Sequence, residues 1–150
     1  MTTRPFRAVI DASVGVKLFV PEPLSSQAQA VFSDLERSQD TELIVPGLFF
    51  VECANVFWKW VHRTSYSEKD VEEHLRNLTQ LGLSVAPTYV LVSDALQIAL
   101  RYDLTSYDAC YVATAVRSRA PLITADRKLL ERIKQTAHEV LWLSDIAVAE

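Results

Sequence analysis

Glycine is scarce in this chain of 150 residues: there are three, Gly15, Gly47 and Gly82. No glycine-rich loop is available to cradle a phosphate, so the P-loop and dinucleotide fingerprints are absent. Cysteine is scarcer still, with Cys53 and Cys110 far apart and in no CxxC pair. Both fall in apolar helical patterns and read as buried free thiols in a reducing compartment. The three histidines, His62, His74 and His138, stand at no ligand spacing with them, which argues against zinc. The longest apolar stretch, "LIVPGLFFV", is broken by Pro46 and Gly47 and is too short to span a bilayer. The opening "MTTRPFRAVID" has no apolar run of signal-peptide kind. A soluble, cytoplasmic protein without a membrane is the expectation. Linkers, low-complexity segments and internal repeats are also missing. So is a cationic excess: the net charge is −4, which argues against a broad basic face.

What is present is an ordinary globular composition, 49% hydrophobic and 23% charged, at a length that suits one domain with one core. Short apolar runs alternate with helical patterns. "FRAVID" (6–11), "ELIVP" (42–46), "LSVAP" (83–87) and "PLITA" (121–125) read as strands, with "EVLWL" (139–143) as a further one. Between them, "ASVGVKLFVPE" reads as a helix stopped near Pro21. "SSQAQAVFSDLERSQ" carries Ala28, Val31, Phe32 and Leu35 on one stripe. "GLFFVECANVFWKWVHRT" is a long helix, apolar on most sides. "SEKDVEEHLRNLTQLG" opens with the capping-box pair Ser67 and Asp70 and ends at Gly82. "YVLVSDALQIALRYD", "LTSYDACYVATA" and "DRKLLERIKQT" supply three more helices. Strands alternating with helices imply a parallel sheet with helices on both faces.

Four acids stand out against this frame. Asp11 and Asp126 each follow an apolar strand directly. Two readings fit both: an N-cap for the next helix, or a ligand at the carboxyl edge where open parallel sheets bind. Strands of a parallel sheet point the same way, so both acids fall on one edge. Asp108 follows Thr105 by three and fits a capping box, yet its helix carries Ala109, Ala113 and Ala115, which allow close packing on the sheet. Glu52 sits among Leu48, Phe49 and Val56 with Asn55 beside it. Unpaired, an ionised carboxylate there would cost several kcal/mol or protonate. A distant arginine could pair it; a metal explains it better. Without these four acids the remaining carboxylates equal the 15 Lys plus Arg. Two charges about 4 Å apart repel by ~4 kcal/mol at an effective dielectric of 20, and a divalent cation offsets such a cluster. Oxygen-only ligation selects Mg²⁺ or Mn²⁺, and the chemistry implied is metal-assisted phosphodiester hydrolysis.

In order, "VIDASV", Glu52 in a central helix, "SYDACYVATA" and "LITADRKL" resemble the PIN-domain ribonucleases, and within them the VapC-type toxins of toxin–antitoxin pairs. The resemblance covers essentially the whole chain. It implies one PIN domain over residues 1–150 and a three-layer PIN-like α/β fold, a mostly parallel central sheet flanked by helices. It implies a metal-dependent endoribonuclease that cleaves RNA with Mg²⁺ or Mn²⁺. Carried over by position, Asp11, Glu52, Asp108 and Asp126 match the acidic quartet that binds the metal and positions the attacking water. Thr124 matches the hydroxyl residue two before the last acid, and Asn55 falls where a polar residue follows the glutamate. The resemblance further implies a homodimer and a VapB-type antitoxin. For that partner, "VFWKWVHR" offers Phe57, Trp58, Trp60 and Val61 around all sides of one helix, unless the helix of Ser67–Leu81 covers them. Arg127, Lys128 and Lys17 are the expected RNA-contacting bases.

Three rival readings are weighed against this one. A haloacid-dehalogenase-type phosphatase also has an Asp after its first strand, but needs a second acid two residues on, where this chain has Ser13. A receiver-like Mg-binding signalling domain expects an acidic pair before its phosphorylated Asp and a Lys after a late strand, where Asp126 stands. A PIN fold that only binds RNA or protein, without nuclease activity, has no need of an intact quartet.

Overall fold

The fold, taken from a computed structural model that describes residues 6–148, is a five-stranded sheet with helices packed against it. The strands are β1 (Arg7–Ile10), β2 (Glu42–Pro46), β3 (Ser84–Ala86), β4 (Leu122–Thr124) and β5 (Val140–Trp142). Their order is β3-β2-β1-β4-β5, and every pairing is parallel. The helices are α1 (Ala12–Gly15), α2 (Ser25–Arg37), α3 (Leu48–Arg63), α4 (Glu68–Thr79), α5 (Thr88–Tyr102), α6 (Ser106–Ser118) and α7 (Arg127–Lys134). Met1–Pro5, part of the stretch read for a signal peptide, lie outside the described residues. Among the described residues, no helix is long and apolar enough to cross a membrane.

The inner strands β1, β2 and β4 are continuous apolar runs because both of their faces are covered. Val9 and Ile10 pair with Leu122 and Ile123, and Val9 also pairs with Ile44. The edge strands β3 and β5 are less buried. α6 lies against β1, β2 and β4. It does so through Ala109, Ala113 and Ala115, which are buried and small enough for the close approach. α5 packs on α6 in turn.

One expectation needs correction, and one alternative is decided. The first helix does not run toward Pro21: α1 ends at Gly15 and a 3-10 turn closes it at Leu18. The aromatic surround of α3 is mostly covered. Phe57 is buried, while Trp60 and Val61 are half-buried, and α4 packs beside them. Trp58 alone of that set stays exposed, at 56%, stacked near His62. The capping box of Ser67 and Asp70 is formed as expected.

Topology sets where ligands can bind. From β1 the chain steps to β2 and β3 on one side, then returns to lay β4 and β5 on the other. The carboxyl ends of β1 and β4 therefore flank the switch point, the crevice that open parallel sheets leave for ligands.

Candidate acidic active site

Asp11 follows β1 and Asp126 stands two residues beyond β4, so adjacent strands deliver both to the switch point. α3 brings Glu52 and Asn55 from one side, and the first turns of α6 bring Asp108 and Tyr111 from the other. One cleft is lined by all four acids, together with Ser13, Asn55, Lys59 and Tyr107. The convergence expected from sequence is present at the level of the cleft.

Both strand-end acids cap helices, and both also line the cleft. The Asp11 carboxylate accepts from the Ser13 amide at 3.0 Å and from the Ser13 hydroxyl. Its second oxygen accepts from Thr124 Oγ1 at 2.6 Å. Asp126 accepts from the amides of Lys128 and Leu129 at 2.9 and 3.2 Å. The Asp126 amide in turn donates to Thr124 Oγ1 at 2.9 Å. Thr124 thus ties the ends of β1 and β4 through one hydroxyl. Ser13 does the same from the other side, accepting from the Ala125 amide at 2.9 Å. Asp108 differs: Thr105 caps α6 by accepting from the Asp108 amide at 3.1 Å, which does not need the Asp108 carboxylate.

Burial, more than mutual repulsion, sets the protonation of this site. The Asp11 carboxyl is pushed from 3.8 up to about 6, first by burial; the Ser13 and Thr124 hydrogen bonds oppose this, and the charges of Asp126 and Asp108 add to it. Asp108 is raised by burial and then by Asp126, against Thr105 and Arg132. Glu52 is raised by burial and by Asp108, against the Tyr111 hydroxyl. Glu52 as a whole is half-buried, but its Oε1 is fully buried and makes no hydrogen bond; the same is true of Tyr111 Oη. The hydroxyl lies near enough to favour the carboxylate without a bond of ordinary geometry.

Among the described residues, no three His, Cys, Asp or Glu side chains stand close enough together to hold a metal ion between them. Ligation by all four acids at once, as expected from sequence, is therefore not preformed. The donor set still suits a hard cation. Mg²⁺ keeps most of its waters and takes one or two carboxylates, which the acids lining the cleft can supply.

The expected RNA-contacting bases do not line the cleft. Lys17 is paired with Glu22 at 3.0 Å and is mostly buried. Arg127 lies 5.5 Å over the Trp142 ring. Lys128 is exposed in the first turn of α7. Sequence reading missed Ser13, Lys59, Tyr107 and Tyr111. For Lys59 a signal existed: Glu52, Asn55, Val56 and Lys59 are spaced to share one face of α3. For Ser13 it was the local Asx-type spacing after Asp11.

Comparison with known proteins gives a consistent picture. The PIN domain family model matches residues 8–150. Ribonuclease VapC3 of Pyrobaculum aerophilum is 35% identical over 128 residues, covering 84% of this chain and 94% of that protein. The crystal structure of PAE2754, also from Pyrobaculum aerophilum, superposes with a TM-score of 0.69 at 22% identity. It covers 93% of this chain and 85% of that one. The Rickettsia felis VapBC2 complex, bound to a DNA fragment from its promoter, superposes at 0.64 and 11% identity. That match covers 91% of this chain and 98% of its counterpart. The two structures share the fold.

Proposed function

This chain belongs to the PIN-domain family, and from that premise we propose that it is a metal-dependent endoribonuclease, the toxin of a toxin–antitoxin pair. The observation that carries the reading is the cleft at the switch point, which all four acids line and where burial raises the carboxyls of Asp11, Asp108 and Glu52. Such an arrangement costs folding energy unless it serves a cation and a substrate. The relative that is 35% identical is itself called a ribonuclease.

In this reading Asp11 and Asp108 are the first candidates to hold Mg²⁺ or Mn²⁺, with Asp126 and Glu52 completing the charge. When bound, the ion supplies charge neutralisation for the scissile phosphate and a more acidic water. Thr124 and Ser13 fix the Asp11 carboxylate in one orientation, so the site need not reorganise during reaction. Glu52, which lines the cleft from α3, orients the attacking water. Asn55 on the same face of α3 offers an amide to substrate oxygens. A VapB-type antitoxin is the partner implied, since a structural neighbour from Klebsiella pneumoniae is a toxin–antitoxin complex. We place homodimerisation on α5, where Tyr89, Val92, Leu96 and Leu100 form an exposed apolar stripe at helical spacing.

Single-turnover cleavage of a structured RNA tests the enzyme directly. Mg²⁺ or Mn²⁺ should support it and EDTA should stop it. Zn²⁺ should serve poorly, because no His or Cys lines the cleft. Cleavage that persists in EDTA, or in Asp11→Asn, overturns the reading and leaves the acids as helix caps.

A further inference from the structure

RNA must enter a cleft whose lining carries four acids, so its phosphates are repelled until a cation intervenes. Affinity has to come from elsewhere on the same surface. Among the described residues that line the cleft, one is cationic: Lys59. It forms no ion pair among the described residues, unlike Lys17, and it sits seven residues after Glu52 on the cleft face of α3. At ~1.5 Å per residue that is about 10 Å along the helix. An ammonium so placed meets a phosphate neighbouring the one at the acids. The second feature is Tyr107, in the first turn of α6 and directly before Asp108. It lines the cleft yet leaves 65% of its surface exposed, an aromatic face that nothing in the fold covers. A base is planar and uncharged, so it can approach this face where a phosphate cannot.

We propose that Tyr107 and Lys59 form the nucleotide-gripping rim of the cleft, Tyr107 stacking on an unpaired base beside the scissile phosphate and Lys59 holding a neighbouring phosphate. The inference rests on the nuclease reading and assigns two residues to the grip on its substrate. A duplex keeps its base faces stacked inside and has none to offer Tyr107; a single strand or an open loop does. The two residues divide the work. Tyr107 adds affinity that does not depend on salt, whereas Lys59 adds affinity through counterion release.

The test compares a short labelled single-stranded RNA with the same strand annealed to its complement. Binding is read by fluorescence anisotropy in Mg²⁺, in the full chain carrying Asp126→Asn, which stops turnover and keeps the cap of α7. In that background Tyr107→Ala should raise the Kd for the single strand about 5- to 150-fold, leave the duplex Kd unchanged, and leave the salt dependence unchanged. Tyr107→Phe should bind as the parent does. Lys59→Ala should weaken both RNAs and lower the slope of log Kd against log salt by about 0.7 for the single strand; Lys59→Arg should restore the slope. Lys69→Ala, outside the cleft, should change nothing. Equal loss on single strand and duplex, an unchanged Kd in Tyr107→Ala, or an unchanged salt slope in Lys59→Ala overturns the rim. Intact RNA affinity combined with weaker binding of the cognate antitoxin would make the rim a protein contact, and also overturns it. The nuclease reading fails separately: wild type that cleaves no RNA defeats it even where both variants alter binding, and wild type that cleaves while the variants bind normally defeats only the rim.

Discussion

Asp11 caps α1 and borders the cleft, and its carboxyl is pushed from 3.8 up to about 6 chiefly because it is buried. Between about pH 4 and pH 6 the folded chain therefore holds a proton that the unfolded chain has released. Stability falls as pH rises through that window, by up to ~3 kcal/mol from this group. In metal-free protein, the difference in melting temperature between wild type and Asp11→Asn should therefore move against wild type from pH 4 to pH 6. Parallel curves would show that Asp11 ionises in the fold as freely as in the unfolded chain. Asp108 offers the opposite case. Its amide donates to the Thr105 hydroxyl that caps α6, and burial and then Asp126 raise its carboxyl. Asp108→Asn should leave stability within about 0.5 kcal/mol of wild type, or improve it, while cleavage is lost. Single-turnover kinetics at saturating RNA should place the loss in the rate rather than in affinity. An unfolded Asp108→Asn would mean that the carboxylate is structural.

α1 is four residues long, and what holds it in place is its contact with α3. Gly15 makes that contact possible: a Cβ there would stand 2.6 Å from Phe49 Cζ. The Phe49 ring is fully buried and has nowhere to swing. Gly15→Ala should therefore cost about 1–3 kcal/mol in chemical denaturation. It should also reduce cleavage, because α1 follows Asp11 and α3 carries Glu52, so any separation widens the cleft between them. Wild-type stability in Gly15→Ala would show that the α1–α3 packing is loose. The same two helices explain Cys53. Its thiol is buried at this contact and raised by burial and then by the charges of Glu52 and Asp11, which makes it inert, as its helical pattern suggested.

Among the described residues, α5 presents an apolar face that the fold leaves uncovered. α5 packs one side on α6 and turns Tyr89, Val92, Leu96 and Leu100 outward, with Leu100 78% exposed. Singly such residues are ordinary; four at helical spacing make a face. Sedimentation of wild type should report a dimer, and Leu96→Glu a folded monomer. A wild-type monomer, or a Leu96→Glu dimer, would remove α5 from the interface.

Read as a string of residues, the chain determined the alternation of apolar runs and helices, and with it the parallel sheet and the shared edge of Asp11 and Asp126. Those features are local: each strand end is written in a few adjacent residues, and parallel strands share a direction whatever their order. Glu52 was legible too, because a carboxylate among Leu48, Phe49 and Val56 conflicts with its neighbours. The tertiary structure alone decided the rest. Strand order is set by long-range packing, and the order β3-β2-β1-β4-β5 makes the ends of β1 and β4 neighbours, bridged by Thr124 and Ser13. Which cation faces the acids depended on the same packing: Lys17, close to Asp11 in sequence, is drawn to Glu22, whereas Lys59, far from it in sequence, faces the cleft. A side chain's partner is chosen by distance in space, and sequence separation fixes that distance only within one helix or strand.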